Sequence, residues 1–168
     1  MNRKARDFAV QFHGGQKYGS DPYVNHLNAV AILCLPFGTD ATTVAYLHDV
    51  VEDTPATLDD VRKRFGPFIA SCVEILTDKP GATRQERKSK TYERMSHVAG
   101  REKLALIVKA ADRLANLRMC TVTRDEDRLS MYRGEHPQFF QCAYRKGLCD
   151  VFWQEMSRLL DIEWAPPL

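Results

Sequence analysis

The chain has 168 residues, of which 44% are hydrophobic and 27% are charged. This balance is typical of a globular protein and excludes an intrinsically disordered chain, and the length fits a single domain over residues 1–168. The formal net charge of +2 does not favour a nucleic-acid-binding protein, so we expect any affinity for anions to come from local clusters of basic residues.

The cysteines and the apolar runs narrow the class of protein further. The five cysteines are odd in number and form no C-x-x-C pair, which argues against a disulfide scaffold and against a thiolate zinc site. The N-terminus lacks the apolar region of a secretory signal, and no apolar run approaches the roughly 18 residues that a membrane span needs. We therefore expect a cytoplasmic protein with no membrane partner.

Helical periodicity dominates the chain, and alternating strand patterns are absent. The first helix is predicted to end at Gly14–Gly15, and a loop of turn-forming residues, KYGSDPY, follows it. The next two helices are predicted over residues 26–35 and from a cap at Thr39 or Asp40 into His48–Asp49.

The second half of the chain also carries helix start and stop signals. Thr57 and Asp60 are predicted to form a capping arrangement, with Gly66 closing that helix and Pro67 opening the next. Further helices are predicted over 84–97, 104–120, 138–144 and 148–160. Because sustained heptads are missing, the prediction is an all-α fold of about eight to ten helices packed at mixed angles.

Some polar residues lie inside apolar helical stretches, where a polar side chain is unexpected. His48 and Asp49 end the run VAYLHDVV, and Asp112 lies within LALIVKAADRL. A buried carboxylate must be protonated, paired or bound to a metal. Arg113 is a poor direct partner for Asp112, because neighbours on a helix point about 100° apart. His26 follows a turn and begins an apolar helix, a position from which its imidazole can point into a cleft.

Two imidazoles and two carboxylates suit a divalent ion such as manganese, iron, cobalt or zinc, whereas histidines disfavour magnesium. Such an ion can lower the pKa of a water molecule from about 15.7 to about 7 and so supply hydroxide at neutral pH. The alternative is that the histidines are hydrogen-bonded core residues and that the His-Asp pair arises by chance. Spacing alone leaves both interpretations open.

Four strings occur in order at compatible spacings: HGGQKYGSDPYVNH, AYLHDVVEDT, LTDKPGATRQERKSK and LIVKAADRLANLR. Together they resemble the hydrolase domain of the Rel/SpoT family, and particularly its small stand-alone alarmone hydrolases. The resemblance spans about Phe8 to Met119.

The resemblance implies an HD-domain phosphohydrolase fold, a manganese ion, and removal of the 3′-pyrophosphate from guanosine tetraphosphate or pentaphosphate (ppGpp or pppGpp) to give GDP or GTP. Carried over position by position, the metal ligands fall on His26, His48, Asp49 and Asp112, the catalytic pair on Glu52 and Asp53, and the nucleoside contact on Asn116. Glu52 and Asp53 follow His48 and Asp49 by one helical turn, so both pairs can face the ion if the helix continues. The alternative for the EDT string is a helix cap alone.

Basic residues are the expected phosphate contacts. Eight Lys or Arg residues stand against three Glu between Lys79 and Lys103, and the expected contacts are Lys17, Lys79, Arg87 and Arg118. The alternative is a solvated helix face. This stretch lacks the interleaved aromatic residues of a nucleic-acid-binding surface, so the expected partner is a small nucleotide and not a nucleic acid.

The chain departs from the family pattern at two positions near the first histidine. The family commonly has an Arg where Lys17 and Tyr18 stand here, and a Pro where Leu27 stands. Replacing Arg by Lys loses bidentate phosphate contact. A second hypothesis therefore keeps the enzyme class, an HD phosphohydrolase, and changes the substrate to an adenine alarmone, a nucleoside monophosphate or a dinucleotide phosphate. A third hypothesis is a nucleotide-binding module without catalysis.

Overall fold

The computed structural model describes residues 3–165. Most of these residues are helical, and the predicted all-α fold is confirmed. Short 3₁₀ turns at Leu35–Phe37 and Gly100–Glu102 precede the third and the eighth helix. The elements of the described residues are α1 Arg3–His13, β1 Lys17–Tyr18, β2 Asp21–Pro22, α2 Val24–Leu33, α3 Thr39–Leu47, α4 Val50–Asp53, α5 Leu58–Phe65, α6 Pro67–Leu76, α7 Arg84–Ser96, α8 Lys103–Thr123, α9 Glu126–Ala143 and α10 Asp150–Leu159.

The boundary between α5 and α6 follows from local chemistry that the sequence predicts. The Thr57 side chain accepts from the Asp60 amide and the Asp60 side chain accepts from the Thr57 amide, which completes a capping box. Gly66 ends α5 with φ of 90°, a left-handed conformation that only glycine adopts easily. Pro67 then takes the first turn of α6, where its missing N–H is not needed.

Three details of the predicted elements are wrong. The KYGSDPY segment is a small antiparallel hairpin and not an open loop, because Lys17 pairs with Pro22 and Tyr18 with Asp21. Neither Thr39 nor Asp40 caps α3, since Gly38 occupies the N-cap position and makes no side-chain cap hydrogen bond. The helix predicted over 138–144 begins twelve positions earlier at Glu126, because the Asp125 side chain accepts from the Arg128 amide.

The helix predicted to run through His48–Asp49 is interrupted at that pair. α3 ends at Leu47 and α4 begins at Val50, with φ −105° and ψ −3° at Asp49. A regular helix would point two adjacent side chains about 100° apart. The turn at Asp49 instead brings the His48 and Asp49 side chains to the same side of the chain. The break in the helix is therefore what allows these two side chains to meet.

The centre of the fold is α8, which contacts α2, α3, α6, α9 and α10. Its residues are buried almost without interruption from Ala105 to Ala115, as expected for a helix surrounded by others. Asp112 therefore lies on a buried helix that packs against α2, which carries His26, and against α3, which ends beside His48. Among residues 3–165, no helix combines the length and the apolar character needed to cross a bilayer.

Candidate metal centre and active site

Four side chains from three separate parts of the chain meet at one point. His26 comes from α2, His48 and Asp49 from the turn between α3 and α4, and Asp112 from α8. The ligand atoms of the first three lie within 4.8 Å of one another. Asp112 Oδ1 is 3.3 Å from His26 Nε2 and 3.6 Å from His48 Nε2.

These separations match those of atoms that share one cation. Donors bound at about 2.0–2.2 Å and at right angles to one another lie about 3 Å apart. Asp49 Oδ2 is 2.9 Å from His48 Nε2 and 3.9 Å from His26 Nε2. The structure thus brings together all four residues that the sequence singles out, and their role as ligands stays a prediction.

His48 has the hydrogen-bond pattern of a histidine that can bind a metal ion. Its Nδ1 lies 2.7 Å from the carbonyl oxygen of Ala45, so this nitrogen carries the proton and donates it. Its Nε2 is buried and has no hydrogen bond in the described part of the chain, although Asp49 Oδ2 is close. A ring nitrogen that faces carboxylate oxygens is satisfied by a proton or by a metal ion between them, and metal-binding histidines donate their other ring nitrogen to a carbonyl in this same way.

The charges around the cluster interact strongly. Burial would raise the pKa of Asp112, but Lys109 and the two histidines outweigh it and hold that pKa well below its usual range. Burial would lower the pKa of His48, but Asp49 and Asp112 outweigh it and raise that pKa. Lys109 Nζ lies 3.0 Å from Asp112 Oδ2, and both side chains are buried. Each buried charge therefore has an opposite charge beside it.

A second layer of side chains orients the candidate ligands by hydrogen bonds. The Tyr23 hydroxyl donates to Asp49 Oδ2 at 2.5 Å. Asn116 Nδ2 donates to Asp112 Oδ1 at 2.8 Å. The Tyr18 hydroxyl, on the hairpin, donates to Asn116 Oδ1 at 2.5 Å, and the Tyr18 ring stacks on His26 with 4.8 Å between centroids. The hairpin is thereby joined to the cluster.

The cluster opens into a polar cavity of about 150 Å³. Glu52 and Asp53 lie in its wall, and the Asp78 amide donates to Glu52 Oε2 at 2.9 Å. Partial burial raises the pKa of Glu52. The cavity is lined by Tyr18, Tyr23, His26, Asp49, Glu52, Asp53, Arg84, Lys88, Lys109, Asp112, Arg113, Asn116 and Tyr132.

Of the expected substrate contacts, only Asn116 is in the cavity wall. Lys17 is exposed on the hairpin. Lys79 lines a separate open groove of about 510 Å³ beside α7. Arg87 Nη1 donates to the Gly81 carbonyl, and Arg118 pairs with Glu155 at 2.7 Å. The phosphate contacts proposed for these four basic residues stay predictions.

Sequence reasoning assigned no role to Arg84, Lys109, Arg113 and Tyr132, which line the cavity. Lys109 precedes Asp112 by three positions, a spacing that puts both on one face of a helix. The sequence could therefore have predicted Lys109 as the partner of Asp112. Lys88 pairs with Asp78 at 2.8 Å. Arg84 and Tyr132 come from α7 and α9, and no spacing in the sequence indicates that they meet.

Comparison with known proteins adds an independent observation. A GTP pyrophosphokinase of Brucella ovis is 34% identical over 154 residues, which are 88% of this chain and 20% of that protein. A guanosine-3′,5′-bis(diphosphate) 3′-pyrophosphohydrolase of Aquifex aeolicus is 29% identical over 166 residues, 97% of this chain and 23% of that protein. The chain spans about a fifth of the length of these curated relatives.

A solved structure is similar over nearly the whole chain. It is that of a metazoan ortholog of SpoT that hydrolyses ppGpp and plays a role in starvation responses. The TM-score is 0.79 at 27% identity, covering 94% of this chain and 92% of that one. The predicted resemblance to Rel/SpoT proteins is confirmed by these similarities. Because residues 5–148 match the HD domain, the chain belongs to the HD-domain family.

Proposed function

We propose that this chain is a metal-dependent phosphohydrolase that removes pyrophosphate from the 3′ position of guanosine tetraphosphate or pentaphosphate, leaving GDP or GTP. The observation that carries the proposal is the convergence of two imidazole nitrogens and two carboxylates at the edge of a cavity that also holds four cationic side chains. The names of the Aquifex relative and of the metazoan structure support it.

His26, His48, Asp49 and Asp112 are the proposed holders of the ion. This set of nitrogen and oxygen donors suits a borderline divalent metal, and we propose manganese. When bound, such an ion polarises a phosphate oxygen and makes a water molecule more acidic. The second layer of hydrogen bonds from Tyr23 and Asn116 fixes the carboxylates in the orientation that the ion requires.

Glu52 and Asp53 are the proposed proton carriers. The Asp78 amide donates to Glu52 Oε2, and the Glu52 side chain lines the cavity in which a water molecule would bind. A carboxyl group whose pKa is raised toward the working pH can both accept and donate a proton efficiently. Asp53 Oδ2 accepts from Gln16 at 3.2 Å in the same cavity wall, and the proton that this carboxylate pair takes from the attacking water is the one returned to the departing 3′ oxygen.

The polarity of the cavity indicates how a nucleotide lies in it. The hairpin side offers Tyr18 and Asn116, a stacking ring and an amide, which suit a nucleoside. The opposite side offers Arg84 and Lys88 from α7, which suit phosphates. A nucleotide with its 3′-phosphates toward α7 thus places the bond to be broken beside the four proposed ligands.

Tyr18 favours a second candidate, in which the same chemistry acts on another nucleotide. Lys17 and Tyr18 stand where the family commonly has an arginine, and the Tyr18 hydroxyl already occupies Asn116 Oδ1. A tyrosine cannot supply the charge or the forked hydrogen bonds of an arginine. An adenine alarmone, a nucleoside monophosphate or a dinucleotide phosphate is therefore the alternative substrate.

A nucleotide panel with manganese tests the proposal. The wild-type chain is expected to release pyrophosphate and GDP from guanosine tetraphosphate. His48→Ala should abolish the release, whereas His97→Ala, a matched change at an exposed histidine of the α7 end, should not. Faster turnover of a nucleotide without a 3′-phosphate would reject the guanosine alarmone and favour the alternative.

A further inference from the structure

Arg113 is a buried cation beside the proposed metal site that none of the roles above uses. It follows Asp112 on α8, its side chain is 5% exposed, and it contributes to the wall of the same cavity. Its guanidinium carbon lies 4.4 Å from the centre of the Tyr132 ring and 4.8 Å from that of Phe139. Such packing holds the planar group firmly in one orientation.

The hydrogen bonds of Arg113 are incomplete. Its Nη2 donates to the Tyr92 hydroxyl at 2.7 Å and to Glu135 Oε2 at 2.8 Å. Its Nη1 is buried and has no hydrogen-bond partner among residues 3–165. A buried charged donor left unpaired is strongly unfavourable, and an anion in the cavity that Arg113 lines could accept from this nitrogen.

The charges around Arg113 also favour an anion at this position. Glu135 Oε1 accepts from Arg84 Nε at 2.8 Å, so two guanidiniums share one carboxylate and one positive charge stays uncompensated. The other two cations of the cavity have their own carboxylates, since Lys88 pairs with Asp78 and Lys109 with Asp112. The positive charge that Glu135 leaves uncompensated therefore belongs to the Arg84 and Arg113 pair, which lies where α7 and α9 meet α8.

The position of this surplus relative to the proposed ligands suggests what it binds. Adjacent side chains on a helix diverge by about 100°, so Arg113 points away from the ion that Asp112 would hold and toward α7 and α9. Asn116, four residues after Asp112, faces the hairpin side instead. A phosphate at Arg113 would thus lie beyond the reacting phosphate, on the side away from the nucleoside.

We propose that Arg113, supported by Arg84, binds the outer phosphate of a diphosphate group, so that the site selects a 3′-diphosphate over a 3′-monophosphate. This inference rests on the proposed function and deepens it, because it states which part of the substrate is recognised. Glu135 acts as a positioning residue that holds both guanidiniums in place until the phosphate arrives.

Binding of pyrophosphate and orthophosphate, measured by calorimetry on the full chain with and without one equivalent of Mn²⁺, tests the inference without requiring turnover. The wild-type protein should bind pyrophosphate more tightly than orthophosphate. Arg113→Met should weaken pyrophosphate binding by about 10- to 100-fold, the range of one or two charge-assisted hydrogen bonds, and leave orthophosphate binding within about threefold. Arg133→Met is the matched control, because Arg133 lies on α9 and donates to the Leu160 carbonyl outside the cavity.

Arg113→Lys keeps the positive charge but loses the paired N–H donors of the guanidinium group. It serves as the second test variant if Arg113→Met does not fold. It should recover part of the pyrophosphate affinity, and a thermal melt of each variant establishes that it is folded. Equal losses of pyrophosphate and orthophosphate affinity, or no loss in either folded variant, would overturn the inference. So would a wild-type protein that does not prefer pyrophosphate in either metal condition.

The same variants separate this inference from the proposed function. If the wild-type chain turns over no 3′-phosphorylated nucleotide but its preference for pyrophosphate disappears in Arg113→Met, the proposed function fails and the recognition of a diphosphate stands. If guanosine tetraphosphate is hydrolysed equally well by Arg113→Met and the wild type, the proposed function stands and the inference fails.

Discussion

The hydroxyl of Tyr18 and Oδ1 of Asn116, 98 residues apart in the chain, are joined by a hydrogen bond of 2.5 Å. Asn116 in turn donates to Asp112 Oδ1, so the hairpin, the proposed nucleoside contact and a proposed metal ligand form one connected series. Tyr18 thereby sets the orientation of the Asn116 amide in the absence of substrate.

Removing only the Tyr18 hydroxyl is expected to affect substrate binding more than the chemical step. In Tyr18→Phe the ring still stacks on His26, but Asn116 loses the bond that orients it. We expect KM for guanosine tetraphosphate to rise by about 3- to 10-fold, the effect of one neutral hydrogen bond, with kcat within about twofold. Steady-state kinetics measure both constants, and an unchanged KM with a reduced kcat would show that Tyr18 acts on the chemical step.

Glu52 is expected to matter for proton transfer and not for holding the ion. Glu52→Gln keeps the size and the hydrogen bond from the Asp78 amide but cannot take a proton. We expect kcat to fall by about 10²- to 10⁴-fold, with one equivalent of manganese still bound. Glu93→Gln, a change at an exposed position of α7, is the control. Loss of the metal in Glu52→Gln would instead assign this residue to the ligand set.

Lys109 is expected to stabilise the protein most when no metal is bound. In Lys109→Met, Asp112 keeps its burial and loses its cation, which costs about 3–5 kcal/mol in the free energy of unfolding. Urea unfolding in EDTA measures this loss, and manganese should restore part of it because the ion replaces the missing charge. In Lys90→Met, which breaks an exposed pair with Glu86, the loss should stay below about 1 kcal/mol. Equal losses in the two variants would contradict the assigned role.

His136 is expected to give the protein a pH dependence of stability that is separate from the metal site. Burial, with a contribution from Arg113, lowers the pKa of His136 to about 4, from about 6.5 in an unfolded chain. Between these values the unfolded chain binds a proton that the folded chain does not, so stability falls as the pH drops below 6.5.

The pH dependence can be isolated by comparing His136→Gln with the wild type. The wild type should lose about 2 kcal/mol more than the variant in the free energy of unfolding between pH 7.5 and pH 5. Urea unfolding in EDTA at the two pH values measures the difference. Identical losses would show that His136 titrates normally in the folded protein.

The parts of the fold and site that could be predicted share a local cause. The α5 boundary follows from Thr57 and Asp60, which lie three residues apart, and the all-helical class follows from periodicity. His48, Asp49 and Asp112 were identifiable because polar residues within apolar helices need a partner. The family strings connected them with His26, which spacing alone does not do.

The parts that could not be predicted depend on packing between distant segments. Glu135 and Arg84 meet because α9 packs on α7, and their separation of 51 residues carries no signal. The start of α9 at Glu126 was not predicted. The Asp125 cap and the packing of Phe139 in the core outweigh the poor helix preference of Gly134 and Pro137 within this helix. The break at Asp49 depends on side chains that converge only in the folded protein.

Manganese titration of the metal-free protein, followed by calorimetry for the wild type and for Asp112→Asn, tests most directly whether four side chains share one ion. The expected result is one ion bound per wild-type chain and affinity at least about tenfold weaker in Asp112→Asn, whose amide is a poorer ligand for the ion. A wild-type protein that binds no divalent transition metal, or an Asp112→Asn variant that binds manganese as tightly as the wild type, would contradict it.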